Sequence, residues 1–292
     1  RLERGAQNFL TPAHGAPMSF ALPPGEPSLV GPESMSWRVF RSPLVLFVGG
    51  VAAVLLELAE PRVRAGVWNH TSFRDRPLER IQRTAFAAMV TVYGTRSQAE
   101  AMIARVNQLH AKVQGCSPEG QAYNACDPEL LDWVHVTASH GFISAYHAFM
   151  RPVTQAELDA FYAEGQASAA LYGATGAPHN AAEAQALFER MASRLGASPI
   201  VFEFLDIMRR VPALPWAARP LQRLLLKAAV DVLPPRVREC LQLGSAWSLR
   251  PQERWLVTHA VRLADRLMLS DSPAVQACQR LGLPHDYLYR CP

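Results

Sequence analysis

The chain has 292 residues, of which 49% are hydrophobic and 18% are charged. This composition is typical of a globular protein that is long enough to bury a large core. Its 29 basic residues exceed the 25 acidic ones only slightly, and no basic block interleaved with aromatic residues occurs, so nucleic-acid binding is not expected. The five cysteines include no CxxC pair, which argues against a zinc knuckle and implies no disulfide framework.

The first 36 residues are rich in proline and glycine and show little hydrophobic periodicity. They predict an extended N-terminal arm that wraps the body of the protein. This polar start has none of the features of a secretory signal, and together with reduced thiols it favours a cytoplasmic protein. Because the chain begins at Arg1 rather than at methionine, an upstream export signal stays open as an alternative.

Residues 37–292 show one helical pattern after another, separated by proline and glycine turns, and they predict a single all-α, multi-helix globular domain. No alternating strand pattern bounded by hairpin turns is found, so no strands are expected. The predicted helices span residues 43–59, 61–67, 75–93, 97–114, 128–149, 154–172, 180–195, 198–210, 217–232, 234–242, 251–268 and 271–281.

Three helix starts have the chemistry of an N-cap. Ser97 with Glu100, and Thr154 with Glu157, each match the spacing of a capping box. Asp127 directly precedes a proline at the first helical position, where the missing proline N–H costs nothing.

The most apolar run of the chain covers residues 44–56 and is flanked by Arg41 and Glu57. Because about 20 residues are needed to cross a bilayer, this run predicts a buried core helix and no transmembrane span. Peripheral contact with a membrane stays open.

Three histidines stand out as candidate site residues. His110 shares i, i+3, i+4 and i+7 spacing with the apolar residues of helix 97–114, and His135 does so in helix 128–149. We expect both imidazoles to face the core, where an unpartnered polar group is costly. The partner is either a metal or haem iron, or a carbonyl or carboxylate, and the spacing alone favours the second. His70 lies in a loop-like run, where it lines a pocket or caps the next helix.

The predicted helix 75–93 carries three polar residues about one turn apart, Arg80, Arg83 and Thr84. A pair of guanidinium groups near a buried site can bind carboxylates such as the propionates of haem. The alternative is that both arginines are solvated or pair with nearby glutamates such as Glu57. Signatures of other enzyme classes, namely GxGxxG, the Walker loop, HExxH and GxSxG, are absent from the sequence.

Four stretches read EPRVRAGVWNHTSF from residue 60, RIQRT from residue 80, VNQLHAKVQG from residue 106 and DPELLDWVHVT from residue 127. Together they resemble a bacterial and fungal family that includes the rubber oxygenases (latex-clearing proteins) and the fungal oxygenase of mycophenolic acid biosynthesis. The resemblance implies an all-helical protein. It also implies haem b as cofactor and cleavage of C=C bonds of isoprenoid chains with dioxygen.

The resemblance further implies that His110 is the proximal haem ligand, and that Arg80, Arg83 and Thr84 line the opposite face of the haem or hold its propionates. The rubber enzymes have an Arg-x-x-Lys-Thr pattern, so this chain carries Arg83 in place of their lysine. A guanidinium stays protonated and cannot ligate iron as a neutral amine can. A lysine-ligated iron is therefore not expected here.

The resemblance places His70 and His135 in the lining of the pocket, with axial ligation by His135 as the lesser alternative. The resulting hypothesis is a haem b-dependent oxygenase that acts with dioxygen on a hydrophobic, unsaturated, isoprenoid-like small molecule. Its catalytic residues would be Arg80, Arg83, Thr84 and His135. The alternatives are a haem-binding carrier or sensor without turnover, and a non-enzymatic helical interaction protein.

Overall fold

A computed structural model gives the fold of residues 18–214 and 216–290; residues 1–17 of the predicted arm lie outside this description. The all-α fold class is confirmed, with one small β-hairpin added. The helices are α1 (Met35–Phe40), α2 (Pro43–Glu57), α3 (Pro61–His70), α4 (Pro77–Tyr93), α5 (Arg96–His110), α6 (Pro128–Phe149), α7 (Gln155–Glu164), α8 (Gln166–Tyr172), α9 (Ala181–Met191), α10 (Pro199–Arg210), α11 (Arg219–Asp231), α12 (Pro235–Cys240), α13 (Pro251–Asp265), α14 (Pro273–Arg280) and α15 (Tyr287–Arg290). Single 3₁₀ turns lie at Ala192–Arg194, Trp216–Ala218 and Ser245–Trp247.

Helices α2 and α6 pack along each other at the centre of the hydrophobic core. α2 is buried on nearly all sides, which confirms that the apolar run of the sequence is a core helix. Glycines let the two backbones touch. A Cβ added to Gly141 would lie 2.4 Å from the carbonyl oxygen of Gly49, and one added to Gly49 would lie 2.8 Å from the Cα of Phe142. Backbone contact therefore leaves no room for larger residues at this crossing.

Within residues 18–214 and 216–290, no single helix is both long and apolar enough to cross a membrane. Helices α2 and α3, which are bent relative to each other, reach that length and apolar composition only when they are counted together.

The helix caps explain where several helices begin. Asp127 and Thr154 cap α6 and α7 through their side-chain oxygens, as predicted. The prediction of Ser97 as a cap is wrong, because Thr95 accepts the Gln98 N–H at 3.1 Å and α5 already begins one residue later. The Gln98 side chain closes the capping box on the Thr95 N–H at 3.1 Å.

A β-hairpin follows α5, and the expectation of no strands is wrong at this point. The strands β1 (Gln114–Cys116) and β2 (Ala122–Asn124) pair antiparallel, with Gly115 opposite Tyr123. Each strand has three residues, which is too short to show an alternating pattern in the sequence. Tyr123 is buried, and its strand packs against α3.

One buried arginine fixes the described part of the N-terminal segment, residues 18–34. Arg280 of α14 donates hydrogen bonds to the carbonyl oxygens of Phe20 at 2.7 Å, Glu26 at 2.8 Å and Tyr93 at 2.8 Å. This segment is therefore packed between α4 and α14. α1 begins inside the segment predicted as an arm, and the division between arm and domain stays a prediction.

Candidate functional site

The α4–α5 hairpin brings the end of α5 level with the start of α4. Gly94 and Thr95 form the only link between the two helices, which pack against each other and so run antiparallel. His110, the last residue of α5, therefore lies near Arg80 in the first turn of α4. Burial and then the positive charge of Arg80 lower the pKa of His110, as expected for an imidazole near a cation.

The His110 imidazole is half-buried, and neither of its nitrogens has a hydrogen-bond partner among the described residues. The predicted core-facing stripe is confirmed only in part, because Ile103 is buried and His110 is half-buried, but Leu109 is 58% exposed. α5 packs at the edge of the protein against α4 and α8, and its apolar residues are only partly covered there. His110 thus presents a neutral imidazole that is free to bind a ligand.

Arg80 links this imidazole to the rest of α4. Its half-buried guanidinium donates to Thr84 Oγ1, and that hydroxyl donates to the Arg80 carbonyl at 2.9 Å. Burial lowers the pKa of Arg80, Glu57 opposes this change, and Arg83 adds to it. Thr84 and Arg83 are exposed, and of these α4 residues only Arg80 perturbs the pKa of His110.

Glu57, the last residue of α2, belongs to the same group of charges, as the sequence-based alternative of an arginine–Glu57 pair suggests. Its carboxyl group is half-buried and accepts no hydrogen bond from any residue that the structure describes. Burial raises its pKa to about 7, against the opposing charge of Arg80. A carboxyl group with this pKa can exchange a proton near neutral pH. The raised pKa itself is not indicated by the sequence, where Glu57 stands at the end of the apolar run.

The first three turns of α4 are only partly covered by the rest of the protein. None of residues 77–88 is fully buried, and burial along this helix begins at Met89. The apolar side chains among them, Leu78, Ile81 and Phe86, pack against the edge of the core. An apolar lining with a few unpartnered polar groups is typical of a cofactor or ligand site.

These groups fit a haem better than a bare metal ion. In the part of the chain that the structure describes, no cluster of three or more His, Cys, Asp or Glu side chains could hold a metal ion. Haem iron receives its equatorial ligands from the porphyrin and needs only an axial side chain, which the neutral His110 can supply. The Arg80 guanidinium is a suitable partner for a propionate.

His70 is held by the β-hairpin. It is the exposed last residue of α3 and not part of a loop, so its predicted placement in a loop is wrong. Its Nε2 lies 2.9 Å from the hydroxyl of Tyr123, and this contact ties α3 to β2. The prediction that His70 lines the pocket stays a prediction.

His135 occupies a separate position on α6. The predicted helix 154–172 breaks at Gly165 into α7 and α8, and a Cβ on Gly165 would lie 3.0 Å from His135 Nε2. That nitrogen is buried without a hydrogen-bond partner among the described residues. Burial alone lowers the pKa of His135 to about 4. No charged group contributes to this shift, so His135 is not part of the electrostatic group around Arg80.

Comparison with known proteins identifies the family. The model for ER-bound oxygenase mpaB/B'/Rubber oxygenase, catalytic domain, matches residues 37–266, which is more than half of the chain. No curated protein and no solved structure gives a significant match. The resemblance seen in the sequence is confirmed: the chain belongs to the mpaB/rubber oxygenase catalytic-domain family and is an enzyme of general oxygenase type.

Proposed function

We propose that this enzyme is a haem b-dependent oxygenase that acts with dioxygen on a hydrophobic, unsaturated, isoprenoid-like molecule. The observation that carries the proposal is the half-buried His110 imidazole, which is neutral and has no hydrogen-bond partner among the described residues. It lies beside Arg80 and at the partly covered apolar side of α4.

His110 would hold the haem iron through one ring nitrogen. The lowered pKa of His110 keeps this nitrogen unprotonated at neutral pH, as ligation requires. Arg80 would hold a propionate, and Thr84 keeps its guanidinium in place by accepting a hydrogen bond. When bound, haem b would supply the redox chemistry that activates dioxygen.

Glu57 would handle protons at the substrate. With a pKa of about 7, its carboxyl oxygen can either take up a proton or release one under physiological conditions. This property suits a carboxyl group that accepts a proton from an allylic carbon or returns one to an oxygen of the product.

The other candidates have supporting roles in this proposal. Arg83 carries a guanidinium, which cannot ligate iron as a neutral amine can. His135 stays neutral at physiological pH because burial lowers its pKa to about 4. It would line the pocket as an uncharged polar group, and His70 would line it from the edge formed by α3.

Absorbance spectroscopy of the full chain, reconstituted with haem b, tests the ligand. We expect a Soret band in the wild type and in the control variant His285→Ala, whose histidine is exposed. His110→Ala should bind haem at least about tenfold more weakly, because it lacks the axial nitrogen. Equal haem loading and an unchanged spectrum in His110→Ala would refute the ligand assignment.

Turnover tests the oxygenase activity against a carrier or sensor function. The loaded enzyme is incubated with dioxygen and isoprenoid alkenes, and mass spectrometry looks for carbonyl products of C=C cleavage. We expect products from the wild type, and a loss of about 100-fold or more in kcat for Glu57→Gln with haem retained. A haem-loaded wild type that yields no products from any isoprenoid alkene would favour the carrier.

A further inference from the structure

Helix α13 and the residues after it expose an unusual number of large apolar side chains. Trp255 is 57% exposed, Leu256 48%, Leu263 63%, Leu267 57% and Met268 38%. Single exposed apolar residues are normal on a soluble protein, but a contiguous patch indicates an interaction surface. We refer to these five residues as the α13 patch.

The orientation of this helix is fixed by its other side. Val257 and Val261 are fully buried, and Asp265 forms a buried ion pair with Arg41. Arg262 also donates to the Met150 carbonyl at 3.0 Å. Since neighbouring residues on a helix are turned by about 100°, Trp255, Leu256 and Leu263 point away from the core, and Leu267 and Met268 after the helix end are exposed as well.

One residue of the patch, Trp255, has local contacts with His259. The centroids of the Trp255 and His259 rings are 3.9 Å apart. His259 Nδ1 donates a hydrogen bond to the Trp255 carbonyl oxygen at 2.8 Å. A rigid aromatic side chain at the edge of an apolar helix face is typical of surfaces that enter the interfacial region of a membrane.

The exposed charges beside the patch on α13 and at its C-terminal end are basic, and the exposed Asp271 follows Met268 by three residues. Arg262 and Arg266 are exposed beside it, and neither forms an ion pair with any residue that the structure describes. The two acidic residues of α13 are already paired, Glu253 with Lys227 at 2.8 Å and Asp265 within the protein. The outward side of α13 is therefore apolar and basic.

We propose that this side of α13 docks on an anionic lipid surface. The helix would lie in the plane of the interface, with the α13 patch among the acyl chains and the arginines at the headgroups. A two-fold contact with a second copy would bring Arg262 and Arg266 towards the same arginines, which is unfavourable. Residues 1–17 carry Arg1 and Arg4 against one acidic residue, so they do not complement these charges either.

Vesicle co-sedimentation of the full chain tests the proposal, and it does not depend on bound haem. We expect binding to vesicles of phosphatidylcholine with about one third phosphatidylglycerol. Binding to phosphatidylcholine alone, or at high salt, should be about tenfold weaker. The double variant Trp255→Ser, Leu263→Ser should weaken binding to the anionic vesicles by at least about tenfold. The control Phe202→Ser, which removes an exposed apolar residue of α10, should not.

A charge variant separates the two contributions. Arg266→Glu should reduce binding to anionic vesicles by several-fold, whereas Arg236→Glu, at an exposed arginine of α12, should leave it nearly unchanged. Circular dichroism melting checks that every variant is folded.

Four results would overturn the proposal. The first is equal vesicle binding by the wild type and the patch variants. The second is a wild-type dimer that becomes monomeric in the Trp255→Ser, Leu263→Ser variant, since a second copy of the chain then covers the patch. The third is binding that appears only after residues 1–17 are deleted, since those residues then cover the patch. Capture of an acidic protein with no affinity for vesicles would likewise contradict a lipid surface.

Discussion

The α2–α6 pair and the α4–α5 hairpin are stabilised in different ways. At the α2–α6 crossing, the backbones meet at Gly49 and Gly141 and the side chains around them are buried. In the hairpin, the first turns of α4 are half-covered, and the His110 imidazole lacks a partner among the described residues. The first region holds the fold together by close packing, whereas the second leaves polar groups available for chemistry. Substitutions should therefore act on stability in the first and on protonation or ligand binding in the second.

The largest effect on stability is expected for Gly141→Ala. Its Cβ would lie 2.4 Å from the Gly49 carbonyl oxygen, so α2 and α6 would have to separate at a cost of about 3 kcal/mol. Urea denaturation measures this loss in the free energy of unfolding. The matched control is Gly50→Ala, where the nearest atom would be 4.0 Å away, and it should be neutral or slightly stabilising. Equal midpoints for both variants would contradict the close crossing.

The next largest effect is a pH dependence at Glu57. Its pKa of about 7 in the folded protein lies above the ordinary value of 4.5. Its contribution to stability is therefore complete below pH 4.5 and is lost as the pH rises through 7. Glu57→Gln should raise the free energy of unfolding by about 2 kcal/mol at pH 8, with no gain at pH 4.5. Glu239→Gln, at an exposed position, should show no such difference. A gain at Glu57 that does not vary with pH would rule out the raised pKa.

His135 should give a pH dependence of the opposite sign. Its pKa of about 4 in the folded protein lies below the ordinary 6.5, so its contribution to stability is present above pH 6.5 and is lost as the pH falls through 4. We expect the wild type to lose about 1.5 kcal/mol more than His135→Phe between pH 7 and pH 4.5. Unfolding titrations measure this difference, with His285→Phe as the exposed control. Parallel curves for the wild type and His135→Phe would show that this imidazole is not buried in neutral form.

The smallest effect concerns the cap that joins the two helices of the site hairpin. Thr95→Ala removes the side chain that accepts the Gln98 N–H and should cost about 1 kcal/mol. Ser97→Ala should cost less than about 0.5 kcal/mol, because Ser97 does not cap α5. Thermal unfolding distinguishes the two variants. A larger loss of stability in Ser97→Ala than in Thr95→Ala would show that Ser97 caps α5, as the sequence predicts.

The sequence predicts what depends on local patterns. The apolar run 44–56 has the length and composition of a core helix, and the caps Asp127 and Thr154 follow from side-chain chemistry next to the helix start. The family follows from short motifs that hold their spacing, among them RIQRT and the segment around His110.

What the sequence does not predict depends on tertiary contacts. Periodicity shows which residues of α5 share a face, but only the packing shows that the face of His110 is half-open. The pKa of Glu57 is raised by burial among residues distant in the chain. Gly165 is visible in the sequence as a glycine inside the predicted helix 154–172, but its close contact with His135 Nε2 depends on the packing of α6 against this break.

The hydrogen bonds of Arg280 show that the residues matched by the family model are fewer than the residues that pack together in the fold. The family match stops at residue 266, before Arg280, and starts after the Phe20 and Glu26 carbonyls that this arginine binds. A fragment cut to residues 37–266 would lose Arg280 and also the Phe20 and Glu26 carbonyl oxygens that it binds. It would also lose the Tyr289 ring that lies 4.9 Å from the Arg41 guanidinium. Truncation limits for expression or fusion should therefore keep residues 18–34 together with Arg280 and Tyr289.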